Sequence, residues 1–268
     1  MSAQFSAAVL ANNLSGVTTP WVTSSRSDAS RAADRARVTV RRIIDADDAE
    51  VVTQLSDDIW GSGVMVPTNL LRAVAMAGTP ALVAERDGHA IGFALGFPAL
   101  GDGYTYVHSH QVGVLAEHRA EHIGFALKMA QRADCLAAGV KEMRWTFDPM
   151  LRTHARFNLI HLGVKVVEFI EHCYGSRVDN FNAGDRTDRF KVCWNLERDV
   201  LDQDDCLPSE GDEVVVIPAD YHQLRQEDPA TARAARLQVG AHLRDVFESG
   251  KSIAGFGPAG YVVKGSHS

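Results

Sequence analysis

Residues 112–128 read VGVLAEHRAEHIGFALK. The segment starts with the alternation of Val112, Gly113 and Val114 and crosses a polar turn at Arg119, Ala120, Glu121 and His122. It then passes without a break into an amphipathic helix through Ile123, Gly124, Phe125 and Ala126. A strand, a polar turn and a helix start in succession expose backbone N–H groups that have no intrahelical acceptor. The helix dipole adds about half a positive charge at the same point. Such a place receives a phosphate or pyrophosphate through neutral amides, without a basic patch. Gly124 lets backbone approach closely, and Arg119 supplies one formal charge. A lone glycine at a helix start also serves plain packing, so the segment has to be read with its surroundings.

Upstream, VTVRRII alternates like a strand. DADDAEVVTQLSDDIW has an acidic first turn and helical apolar spacing at Val51, Val52, Leu55 and Ile59. PTNLLRAVAMAG starts at Pro67 and stops at Gly78 as a short helix does. PALVAERDGHAIGFALGFPA reads as two strands joined at Asp87-Gly88, a hairpin signal. YTYVHSHQVGVL is the strand that leads into the opening segment. Downstream come a strand in VKEMRWTF, a helix through MLRTHARFNLIHLG that Asp148 caps, and strands in VKVVEFIEHCYG and RFKVCWNL.

The order over residues 38–196 is β-α-α-β-β-β-α-β-α-β-β, which predicts an α+β fold: a mostly antiparallel sheet flanked by helices. Charged, turn-rich sequence over 197–212 marks a boundary. A strand EVVVIP, helical sequence broken near Pro229 and a last strand around AGYVV follow it. The expected organisation is a disordered leader over 1–36 that folds onto nothing, a main domain over 37–198, and a small α/β extension over 199–268 packed on the core.

The chain has 268 residues and a net charge of −7. That balance argues against nucleic acid or an anionic membrane as a partner, since both reward clustered Lys and Arg. Cys135, Cys173, Cys193 and Cys206 form no CxxC pair and no Cys/His cluster of zinc spacing. Neither a metal site nor a disulfide framework is expected. Reduced thiols in a cytoplasmic protein are the plainer reading. No apolar run is long enough to span a bilayer.

The run VGVLAEHRAEHIGFALK resembles the acyl-CoA loop of the GNAT acyltransferase superfamily, Arg/Gln-x-x-Gly-x-Gly/Ala. Arg119 matches its first position and Gly124 its last; His122 stands where the family usually has Gly. HARFNLIHLGVK is similar to the later family helix ending in Leu-Gly-Phe, with Ala155, Leu162 and Gly163 in register. The element order is also the family's. HSHQVGV, RWTFDPM, RFNLIHLG, YG, TDRF and a C-terminal IPADY together resemble a bacterial branch of this superfamily, over residues 38–263. The resemblance implies an acyltransferase that moves an acetyl or succinyl group from acyl-CoA to a small amine or amino acid. It implies no metal, and a homodimer is compatible with it. A CoA-binding module that kept the fold and lost the chemistry is the rival.

Within that reading, residues 119–126 hold the CoA pyrophosphate, the backbone of Val112, Gly113 and Val114 pairs with pantetheine, and Asn158 reaches the cofactor arm. Amide formation needs a base for the incoming amine. Period-two alternation puts His108, His110, Val112 and Val114 on one face, and His108 occupies a position that carries a catalytic Glu in some family members. His108 is the first candidate base and His110 the second; a structural histidine bonded to backbone is the alternative for either. The family's usual acid, a Tyr four residues before the glycine, is replaced by Leu159, which leaves Tyr174, His154 or water. The loop DNFNAGDRTDRF, with Asp179, Asn182, Asp188 and Arg189, lies where the family meets its acceptors. Arg189 would fork onto a substrate carboxylate, or form a surface salt bridge.

Overall fold

Asp87 and Gly88 both have positive φ, 52° and 79°, the backbone that a two-residue hairpin turn requires. They join β2 (Ala81–Arg86) to β3 (His89–Leu100), as the sequence predicts. The computed structural model describes residues 19–61, 67–78, 80–101, 103–175, 185–200 and 204–265. These divide into two compact units, one within Met1–Met143 plus Leu196–Arg198, the other within Arg144–Asn195 plus Asp199–Ser268.

In the first unit α1 (Pro20–Ala36), β1 (Thr39–Arg42), α2 (Ala46–Trp60) and α3 (Thr68–Met76) precede the hairpin. β4 (Thr105–Val114), a 3-10 turn at Ala116–His118 and α4 (Ile123–Ala137) follow it. Strands β1 to β4 form an antiparallel meander in sequence order. Asp45 and Asp48 start α2 reciprocally: the Asp48 amide donates to Asp45 Oδ1 at 2.9 Å, and the Ile44 amide to Asp48 Oδ2 at 2.8 Å.

The leader expected without structure is, over Pro20–Ala36, a 17-residue helix packed on α4. Thr19 caps it and Pro20 occupies its first turn. Its buried stripe is Ser25, Ala32 and Ala36, small residues that allow close approach of two helices. Arg132 of α4, almost fully buried, anchors the unit: Nη1 meets Asp28 of α1 at 2.8 Å, Nε donates to the Leu196 carbonyl at 3.0 Å, and Nη2 to the Arg198 carbonyl at 2.9 Å.

The second unit takes up β5 (Glu142–Phe147) from Arg144 onward, then α5 (Arg152–Ala155), β6 (Lys165–Ile170) and β7 (Arg189–Asn195). Its strand order is β5-β7-β6. A second antiparallel sheet, in the order β8-β10-β9, joins β8 (Glu213–Val216), β9 (Ser252–Phe256) and β10 (Gly260–Lys264), with α6 (Tyr221–Glu227) and α7 (Pro229–Glu248) between β8 and β9. Phe190 centres an aromatic core, with Phe147, Phe169 and Tyr261 at ring distances of 5.7, 5.9 and 5.1 Å.

The helix predicted to start at Asp148 begins instead at Arg152 and continues as a π-helical segment, Arg156–His161. Asp148 does not cap it; its carboxylate accepts from the Met150 amide at 2.9 Å and pairs with Arg236. Among the described residues no helix is long and apolar enough to cross a membrane, and the four cysteines are unpaired.

Candidate active site

The two histidines lie on β4, and the ladder beside them is irregular. Phe97 faces His108 and Gly96 faces Ser109, but Leu95 faces Gln111, so His110 is an extra residue in the strand. This β-bulge reverses the side-chain phase along β4. Before it, Ser109 points to α4, where Lys128 Nζ donates to its hydroxyl at 2.7 Å. After it, Val114 takes the α4 side: a Cβ on Gly92 would meet Val114 Cγ2 at 3.3 Å and Ile123 Cγ2 at 3.4 Å. Gly113 points the other way, where a Cβ would lie 2.7 Å from Trp60 and 2.8 Å from Ile59 of α2.

The shared face expected for His108, His110, Val112 and Val114 is therefore split: Val112 and Val114 follow the α4 phase, and the histidines do not. His108 and His110 remain together. With Phe97 they form a three-ring cluster, at 5.2 Å for Phe97–His108, 5.8 Å for Phe97–His110 and 6.1 Å between the imidazoles. His108 is half-buried and His110 exposed.

Beyond β4 the Leu115 amide still bonds to the Ile91 carbonyl at 3.0 Å. The chain then turns through Ala116–His118, extends at Arg119, and enters the left-handed region at Ala120 and again at His122, both with φ 63°. Left-handed non-glycine residues cost of order 1–3 kcal/mol each and persist where their surroundings fix them. Glu121 between them pairs with Arg86 at 2.5 Å. His122 stands at the N-cap of α4, and no side chain caps the helix. The first helical bond of α4, Ala126 amide to His122 carbonyl at 3.0 Å, leaves the amides of Ile123, Gly124 and Phe125 ahead of it as the usual orphan donors of a helix start. A Cβ on Gly124 would meet nothing within 4 Å, so the helix start opens to free space on that side.

Under the bulge lies a polar group that composition does not reveal. Ser109 Oγ donates to Gln131 Oε1 at 2.9 Å while accepting from Lys128, whose ammonium also approaches Met143 Sδ at 3.7 Å. Lys128 is 2% exposed, and burial pushes its amine down to about 7. The neighbouring Cys135 thiol is pushed up to about 12, again by burial.

The remaining expected site residues belong to the second unit. Asn158 is buried in the π segment; its Oδ1 accepts from Trp145 Nε1 and its Nδ2 donates to the His154 carbonyl, both at 2.8 Å. That carbonyl lies four residues back, where the α-helical amide would bond, so the side chain displaces the ladder and widens the helix. Leu159 is buried. Tyr174 is 40% exposed, and its hydroxyl lies 2.7 Å from Thr146 Oγ1.

Asp188 is buried, accepting from the His172 amide at 2.9 Å and from Arg186 Nε at 3.2 Å. Arg189 is nearly buried, 3.6 Å from Asp148, with its guanidinium 5.7 Å from the Tyr174 ring centroid. Asp179 and Asn182 lie outside the described residues.

Sequence reasoning missed Arg236. It is 2% exposed and holds both Asp148 oxygens, at 3.1 and 2.8 Å, with Nε on Asp185 at 2.9 Å. Burial would raise the Asp148 carboxyl, but Arg236 and Arg189 hold it below its ordinary value. The signal was present: Arg236 falls in the helical stripe of Ala232, Val239, Leu243 and Val246, where an apolar residue is the norm.

No family model matches the chain, and no curated protein matches it. Solved structures do. The chain is similar to yncA of Salmonella typhimurium with its cofactor acetyl-CoA, at 23% identity over 63% of this chain and 99% of that one, TM-score 0.48. It is similar to Naa50 of Arabidopsis thaliana in complex with a bisubstrate CoA analogue, at 18% identity over 58% and 97%, TM-score 0.48. A protein of the GNAT family from Desulfovibrio desulfuricans matches at 17% identity over 59% and 99%, TM-score 0.43.

Proposed function

We propose that this chain is an acyl-CoA-dependent N-acyltransferase that moves an acetyl or succinyl group to the amino group of a small molecule or amino acid. The observation that carries the reading is the helix start at residues 122–125. It is uncapped by any side chain, open over Gly124, and preceded by two left-handed residues. It stands where the GNAT-like motif has its pyrophosphate loop, within the element order that the resemblance implies. The amides of Ile123, Gly124 and Phe125 would receive the pyrophosphate, with Arg119 adding charge. The backbone of Val112, Gly113 and Val114 would line the pantetheine arm.

In the reaction the amine nitrogen bonds to the thioester carbonyl carbon, the C–S bond breaks, and the amine proton passes to an imidazole. His108 is the proposed base and His110 its alternate, from the ring cluster with Phe97. A thiol with a pKa near the cysteine value of about 8.5 leaves as thiolate without much help, and water is offered for its protonation. Asp188 and Arg189, expected to meet the acceptor, are both buried, Asp188 on the His172 amide and Arg186 and Arg189 beside Asp148, so neither is offered to an acceptor in this proposal.

The buried Leu159, where the family has its acid, favours the second reading, a CoA-binding module without turnover. A thermal-shift titration with acetyl-CoA, then free-thiol release across an amine library with products identified by mass spectrometry, separates the two. Thiol release with an acylated amine supports the transferase. Binding without release selects the module, and no binding sinks both.

A further inference from the structure

Arg86, the last residue of β2, bridges two elements that sequence leaves unrelated. Its Nη2 donates to the Ala36 carbonyl at 2.7 Å and its Nε to the Arg37 carbonyl at 3.2 Å. These are the final carbonyls of α1, the negative end of that helix, where a guanidinium is doubly favoured. Its Nη1 donates to Glu121 Oε2 at 2.5 Å. Glu121 stands between the left-handed Ala120 and His122, directly before α4. The other side chain near this carboxylate is His118, whose Nδ1 is 3.7 Å from Oε1. Arg86 holds the Glu121 carboxyl below its ordinary value, so the acid is ionised at neutral pH.

An ionised acid in a loop that receives phosphates is a paradox unless its charge is cancelled and its direction fixed. We propose that Arg86 is a positioning residue for the anion-binding loop. Seated on the C-terminal carbonyls of α1, it neutralises Glu121 and holds the loop in the conformation that presents the α4 amides. The N-terminal helix thereby becomes part of the ligand site without touching the ligand. This rests on the reading of residues 119–126 as the CoA pyrophosphate loop.

The test compares the full chain with Arg86→Gln, Glu121→Gln and the double variant, by calorimetry with CoA and by amide hydrogen exchange over residues 119–125. Arg86→Gln is expected to weaken CoA binding about tenfold, the scale of a lost charge-assisted hydrogen bond, and to speed exchange in the loop. Where turnover is measured, the KM for acyl-CoA rises and kcat stays near that of the parent. The double variant is expected to bind CoA more tightly than Arg86→Gln, a rescue that general loss of stability would not produce. Unchanged loop exchange in Arg86→Gln, or a double variant that binds no better than the single, overturns the proposal. If the parent chain does not bind CoA while Arg86→Gln still speeds loop exchange, the CoA reading falls and the clamp stands.

Discussion

Lys128 sits against a hydroxyl and a thioether, with its amine pushed to about 7 from an ordinary 10.5. Between those values the unfolded chain binds a proton that the folded chain does not, so stability rises with pH across that window and is lowest below it. Lys128→Met should raise the melting temperature at pH 6, a gain on the scale of roughly 1–4 kcal/mol that shrinks towards pH 10; a gain independent of pH would rule out the titrating amine as its cause. In the proposed reaction His108 is the base. His108→Gln should lower turnover about a hundredfold, leave CoA affinity near that of the parent and flatten the acid limb of the pH–rate profile. Retention of that limb would make His108 structural and pass the role to His110. The histidine pair was legible in HSHQVGV, but the face it uses was not. Alternation assumes an unbroken ladder, and the extra residue is seen only when β3 is laid beside β4.

Among the elements, α4 has a start that is open where a side chain would otherwise stand. Because a Cβ on Gly124 meets nothing within 4 Å, Gly124→Asp should fold normally and place a carboxylate before the orphan amides. Calorimetry should show CoA affinity reduced at least about tenfold with the thermal melt little changed; unchanged affinity would remove the pyrophosphate from this loop. The hairpin, the meander and α4 were all readable, because apolar spacing and turn residues declare them. Helix α1 was not, although Thr19 and Pro20 gave its start. A helix that docks through Ser25, Ala32 and Ala36 has no large apolar stripe, and its composition is that of a disordered leader. The π segment was equally hidden, since Asn158 reads as a helix-interior polar residue until its bond to the His154 carbonyl is seen.

At the scale of the whole molecule, both units are assembled from sequence-distant pieces. In the second, α7 reaches the turn after β5 through Arg236 and Asp148. Arg236→Met leaves that carboxylate buried without its partner, so chemical denaturation should show a loss of about 3–5 kcal/mol. Adding Asp148→Asn should recover part of it; equal stability in the parent and the single variant would mean the pair is screened in solution. Asp148 contributes stability above the ordinary carboxylate range and loses it as pH falls through its depressed value, so acid unfolding should be less steep in the double variant. In the first unit, the Arg132 guanidinium completes its bonds on the carbonyls of Leu196 and Arg198. Synthesis at roughly 5–20 residues per second puts roughly 3–11 s between the emergence of Met143 and of Arg198. Through that interval the nascent chain carries all four meander strands and a cation that has Asp28 but not yet its two carbonyl acceptors. The ribosome therefore delivers this unit's last fastening only after residues 144–195 of the second unit have been made.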